Sequence, residues 1–303
     1  MPDDRRGLLY GVAAYLIWGA FPLYFPLLEP AGAAEILAHR VTWSLLTMLL
    51  IVVLSRRLPQ VRALLRRHRA RNLLTLAAVV IAVNWGTYIW GVNNHRVVET
   101  SLGYFINPLV TVLMGVVVLR ERLRRWQWVA LGIAFVAVLG LTVDYGHPPW
   151  VAVTLAFSFG TYGLAKKQAG VQAVESLTYE TLVLVPIALG YLIWLGGSGS
   201  GHFVGHGLGH AFLLVSTGIV TAVPLLCFGA AAIRVPMTTL GLLQYLAPVL
   251  QFLLGVTVLD EHMSAMRWAG FGLVWLALAI FTWEAISHHR RQQLRLTAEA
   301  AAL

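Results

Sequence analysis

"PLVTVLMGVVVLRERLRRWQWVALG", from Pro108 to Gly132, and "PVLQFLLGVTVLDEHMSAMRWAGFG", from Pro248 to Gly272, repeat one pattern. At a constant offset of 140, Pro108 matches Pro248, Gly115 matches Gly255, Leu119 matches Leu259, Glu121 matches Glu261, Trp128 matches Trp268 and Gly132 matches Gly272. Upstream the offset is 138, pairing Gly91 with Gly229, Arg96 with Arg234, Thr100 with Thr238, Leu102 with Leu240 and Gly103 with Gly241. Earlier still, Glu35 pairs with Glu175 and Arg40 with Glu180 at 140, whereas the first segments of the two copies match weakly. The chain reads as an internal duplication, and the solvent each copy is built for follows from composition.

Of the 303 residues 58% are hydrophobic and only 12% charged, far from the soluble average. A bilayer core takes about 20 apolar residues per spanning helix, so the expected fold is all-α and integral to a membrane. Apolar runs between charged or Gly/Pro punctuation give ten candidate spans: 7–27, 35–55, 72–93, 101–119, 126–144, 149–166, 176–195, 211–232, 237–258 and 266–286. The first follows Arg5-Arg6 like a signal peptide, but its length and its Trp, Tyr and Pro content mark a retained helix. The net charge of +9 is a topology signal rather than a nucleic-acid footprint, because the basic residues form short scattered loops without interleaved aromatics. With the N-terminus inside, 19 of the 22 Lys and Arg fall on the cytoplasmic side, leaving only Arg40, Arg96 and Arg267 near the other face. Both termini are then cytoplasmic. Each half is a five-helix unit, 7–144 and 149–286, followed by a cytoplasmic tail at 287–303. Five is odd, so the copies are expected to lie inverted in the membrane, with a substrate site between them near the midplane.

The order "NWGTYIWGVNNHRVVETSLGYFINPL" (Asn84 to Leu109), "LRERLRRWQW" (Leu119 to Trp128) and "YLIWGAFPLYF" (Tyr15 to Phe25) closely resembles the RarD branch of EamA-domain permeases, in the drug/metabolite transporter superfamily. The resemblance covers nearly the whole chain, with specific motifs in the first half and looser ones in the second. It implies two EamA repeats, ten helices and transport of small organic solutes across a bacterial inner membrane, with export favoured over uptake. It leaves the natural substrate open.

The residues themselves locate candidate chemistry. Tyr104, Asn107, Thr111 and Met114 share one face of the fourth span. An amide in hydrocarbon loses hydrogen bonds, so Asn107 faces either a wet cavity or a neighbouring helix. Pro108 frees a backbone carbonyl near Tyr104, and Pro248 is its counterpart, so both are expected to kink their helices. Gln244 and Gln251 are seven apart on the ninth span, with Tyr245 beside them. Asn84 and Tyr88 are one turn apart, and Trp85 and Trp90 add aromatic surface. Tyr15, Trp18 and Tyr162 complete an expected aromatic wall, while Trp126, Trp128, Trp150 and Trp268 read as interfacial anchors. Arg40 and Glu180 each lie about five residues inside their spans, or about 7 Å at 1.5 Å per residue. The expected partners are Glu99 for Arg40 and Arg234 for Glu180, giving either gate-like ion pairs or snorkelling structural ones. Glu180 is also the candidate for proton coupling.

His202, His206 and His210 recur every four residues, but the glycines around them favour a flexible outer loop over a metal-binding helix. Cys227, the single cysteine, has no intramolecular disulfide partner and reads as a small core residue. No Walker, G-x-S-x-G or H-E-x-x-H motif appears, so no cofactor is expected and no recognised enzyme class is supported. The reading is a secondary active permease with a small-molecule substrate and the lipid bilayer as its partners. A membrane-embedded enzyme or a channel acting at the same central cavity is the alternative.

Overall fold

The computed structural model describes residues 3–119, 123–232, 234 and 243–301. Arg120, Glu121 and Arg122, and Thr238, Leu240 and Gly241 of the repeat, lie outside the described residues. Among the described residues every regular element is helical. The chain runs α1 (Asp3–Gly19), α2 (Phe21–Tyr24), a 3-10 turn (Phe25–Leu28), α3 (Ala33–Leu54), α4 (Leu58–Leu65), α5 (His68–Asn93), α6 (Val97–Leu119), α7 (Arg125–Tyr145), α8 (Trp150–Ala169), α9 (Ala173–Ser198), α10 (Gly207–Ala232), α11 (Leu246–Thr257) and α12 (Ala265–Ala301).

Six of these helices are long and apolar enough to cross a membrane, and α1 with the segment to Leu28 makes a seventh if its two parts are one span bent by 43°. Their outer faces carry large apolar side chains: Leu54, Val143, Ile187 and Ile193 are each more than 70% exposed. Apolar surface of this extent suits lipid rather than water, and with the helical architecture it makes the chain a multi-pass membrane protein.

Two proline positions depart from the expected kinks. The first span is not one helix, because Pro22 and Pro26 interrupt it after Gly19. Pro22 has no N–H to give the carbonyl of Trp18, four residues earlier. That oxygen accepts instead from Nε2 of Gln251 on α11, at 3.0 Å. Pro248 sits in the first turn of α11, after a turn at Gln244 and Tyr245, where its missing N–H breaks no helical bond. Pro108 does lie inside α6.

The packing repeats with the sequence. Exchanging α1 with α8, α3 with α9, α5 with α10, α6 with α11 and α7 with α12 converts the α5–α8 contact into α10–α1, α6–α8 into α11–α1, and α3–α10 into α9–α5. The pairs α3–α9, α6–α11 and α7–α12 map onto themselves. Close approach depends on small residues at particular points. A Cβ on Gly218 of α10 would lie 2.5 Å from the backbone of Trp43 on α3, and one on Gly103 of α6 would lie 2.8 Å from the carbonyl oxygen of Ala152 on α8.

Candidate transport site

Arg40, in the second turn of α3, is 4% exposed. Its guanidinium carbon lies 4.2 Å from the ring centroid of Trp85 on α5, 5.5 Å from Phe21 and 5.8 Å from Phe25. Nε donates to Oγ1 of Thr221 on α10 at 2.9 Å. Among the described residues no carboxylate lies within ion-pair distance of it. Desolvating such an ion costs several kcal/mol, and cation–π contacts of about 2 kcal/mol at best offset only part of that. The expected Arg40–Glu99 pair does not form. Glu99 accepts from the backbone N–H of Val151 at the start of α8 (3.0 Å) and pairs with Arg96 at 3.4 Å, so it caps a helix in trans.

Around this cation the structure gathers several expected residues. Asn84 Nδ2 donates to the carbonyl oxygen of Leu155 (3.0 Å) and to Ser158 Oγ (2.9 Å) on α8, and its Oδ1 accepts from the Tyr104 hydroxyl at 3.2 Å. Tyr88 packs between Phe25 (5.9 Å, edge to face) and Tyr104 (5.7 Å, tilted), and its buried hydroxyl has no hydrogen-bond partner among the described residues. The hydroxyls of Tyr24, Tyr88 and Tyr104 all lie within electrostatic reach of Arg40. The rings continue from Tyr104 to Phe159 (6.1 Å) and on to Tyr162 (5.9 Å), linking the Arg40 cluster to the other buried charge.

That charge is Glu180, 1% exposed on α9. It accepts from Ser176 Oγ at 2.5 Å and from the Tyr162 hydroxyl at 3.1 Å, and Lys166 Nζ stands 3.2 Å away. Lys166 also donates to the Tyr162 hydroxyl at 2.8 Å. The expected partner Arg234 instead donates to the carbonyl oxygen of Ala230 and lies over the Tyr10 ring. Depth along a helix matched Glu180 with Arg234, but azimuth decides contact, and the i, i+4 step from Tyr162 to Lys166 aims the ammonium at α9.

The remaining expected residues are not brought together as one group. Tyr15 and Trp18 meet edge to face at 5.3 Å and pack on Phe228, and Gln251 holds the Trp18 carbonyl while its own Oε1 is buried without a partner. Asn107 is 9% exposed, and its Oδ1 likewise has no partner among the described residues. Thr111 is exposed and faces Gly160 of α8, away from the buried cluster. Gln244 is half-buried; Tyr245 has Thr282 and Gln244 as polar neighbours and packs on the α6–α7–α12 core. A hollow of about 370 Å³ between Arg67 and Gln168 lies apart from all of these residues, at the ends of α5 and α8.

Sequence reading passed over Phe21, Phe25, Thr221 and Ser158 as site residues. A polar residue every fourth position in α10, Thr217 and Thr221, was the available signal. It also missed Glu261, whose carboxylate accepts from the backbone N–H groups of Val97 and Val98 and so caps α6, the helix that carries Asn107. Burial raises the Glu261 carboxyl above its ordinary range, against the opposing pull of those two donors. The His202–His210 segment is not all loop, since α10 begins at Gly207; at its start His202 donates through its backbone N–H to Glu35 and Phe203 stacks on His39. Cys227 is half-buried.

Comparison with known proteins agrees with this architecture. The EamA-like transporter family matches twice, over residues 5–143 and 149–283. Protein RarD of Streptomyces exfoliatus is 59% identical over 298 residues, covering 98% of this chain and 95% of its own length. Protein RarD of Escherichia coli strain K12 is 43% identical over 289 residues, covering 95% and 98%. A solved crystal structure superposes with a TM-score of 0.57 at 19% identity, over 90% of this chain and 96% of its own, and so shares the fold. With two tandem matches spanning nearly all of its length, and RarD proteins among its relatives, the chain belongs to the EamA-like transporter family.

Proposed function

We propose that this protein is a secondary active permease of the bacterial inner membrane that moves a small organic metabolite or drug by alternating access, in the export direction. It crosses the membrane ten times as two inverted five-helix repeats with both termini in the cytoplasm. The observation that carries the reading is the exchange symmetry of the helix contacts around two buried, oppositely charged residues at equivalent positions, Arg40 and Glu180. Inverted repeats can trade conformations by rocking, which exposes a central site to each side in turn. Asn84, Tyr88, Tyr104, Asn107 and Gln251 contact or hydrate the substrate in this scheme; three of them carry a buried polar atom without a partner among the described residues.

Reconstituted protein, screened for solute uptake with and without an imposed pH gradient, tests the activity. Saturable, gradient-dependent movement of one solute class is expected, and rapid, non-saturating conductance would mean a channel instead. Topology is read by cysteine labelling: a cysteine at Gly205 should react from outside and one at Arg62 from inside. The reverse pattern would overturn the orientation. For coupling, Glu180→Gln should abolish gradient-driven accumulation and preserve exchange; full accumulation would leave Glu180 as a gate only.

A further inference from the structure

We propose that the transported molecule bears a single carboxylate-type anionic group and that the guanidinium of Arg40 receives it. The inference rests on the permease reading for transport, and on geometry alone for binding. A buried guanidinium has five N–H donors in a planar fork. Here Nε is used by Thr221, and neither Nη has an acceptor among the described residues. The rings of Trp85, Phe21 and Phe25 hold the cation by their faces but cancel none of its charge. The open end of the fork matches a planar carboxylate in bidentate geometry, which a lysine at this position would not.

The second observation is Tyr88. Its hydroxyl is a buried donor with no acceptor among the described residues, on a ring that packs against both Phe21 and Phe25. One guanidinium fork on α3 and one phenol donor on α5 share the Phe21 and Phe25 rings as neighbours, enough to satisfy one carboxylate. The rings against Arg40 are those of Trp85, Phe21 and Phe25, so the body of the ligand is apolar. The structure therefore assigns an aromatic or aliphatic organic monoanion as the substrate class.

The test uses the full-length protein in detergent and matched probe pairs: benzoate against benzamide, and phenylacetate against phenylacetamide. Thermal stabilisation by the acids, saturable and absent for the amides, is expected. Tyr88→Phe should weaken the acids about ten-fold, and Arg40→Met should abolish their effect. Equal action of acid and amide, no stabilisation by either acid, or an undiminished acid effect in Arg40→Met would each overturn the proposal. A second measurement needs no ligand. Because Arg40 strands no carboxylate when removed, Arg40→Met should leave Tm unchanged or raise it; a fall of about 10 °C would make Arg40 a structural cation. Counterflow in proteoliposomes separates this inference from the permease reading. Acids that bind but are never carried would leave the anion site standing and remove its link to transport. Saturable transport of a neutral solute, undiminished in Arg40→Met, would do the opposite.

Discussion

Arg40 and Glu180 stand 140 residues apart at matching positions in α3 and α9, both almost wholly buried, yet their surroundings differ in kind. Glu180 sits in a closed polar network with Lys166, Tyr162 and Ser176. Arg40 sits in a cage of rings with one hydroxyl. The residues 140 earlier than Tyr162, Lys166 and Ser176 are Pro22, Pro26 and Ile36, so the first half has nothing to offer its buried charge in return. Backbone pseudo-symmetry survives in the helix contacts, while charge compensation belongs to one half alone. A site that is satisfied without ligand stabilises the fold or gates it, whereas an uncompensated one is available to a ligand.

The sharpest way to break this contrast is to make the same kind of change at both places. Lys166→Met strands Glu180 as a buried charge and should cost about 3–5 kcal/mol in thermal or denaturant unfolding. Adding Glu180→Leu should recover most of that loss, since the two residues form one interacting pair. An equal loss in Lys166→Met and Arg40→Met would erase the distinction. Gly218→Ala probes the α3–α10 approach that holds Arg40 to Thr221. Its new methyl meets the Trp43 backbone, so about 1–3 kcal/mol of stability should go. Acid-probe stabilisation should weaken with it, and binding unaffected by this change would detach the Arg40 cluster from the α3–α10 seam.

Smaller effects sharpen the picture at α6. Glu261→Ala removes two acceptors from the N-terminus of this helix and should cost about 1 kcal/mol, the usual value of a lost cap, measured by the unfolding midpoint. Asn107→Leu should change stability least, by about 0.6 kcal/mol. Solute transport should nevertheless fall in that mutant while the folded protein stays in the membrane. Full transport by Asn107→Leu would return this amide to helix packing.

Much of the architecture was legible in the sequence because it is written in composition and period. Apolar runs mark helices, and the two offsets mark the repeat. The freed carbonyl expected from sequence lay near Tyr104, before Pro108, whereas the one the structure shows answered, by Gln251, is that of Trp18. The first span was misjudged as continuous because an apolar count ignores the N–H that Pro22 lacks. Which residues meet was a different question. Tyr88 and Tyr104 lie 16 residues apart in sequence and meet because α5 and α6 both pack on α8.

Sequence by itself determined the place of each charge along its helix: Arg40 and Glu180 lie inside helices, at equivalent positions of two copies. It did not determine their partners, and both expected pairs, Arg40 with Glu99 and Glu180 with Arg234, gave way to other neighbours. Residue number fixes height along a helix, at about 1.5 Å per residue. Rotation about the axis, and the choice of neighbouring helix, arise only when the bundle packs. Packing alone gave Glu180 its lysine and left Arg40 to Thr221 and three aromatic rings.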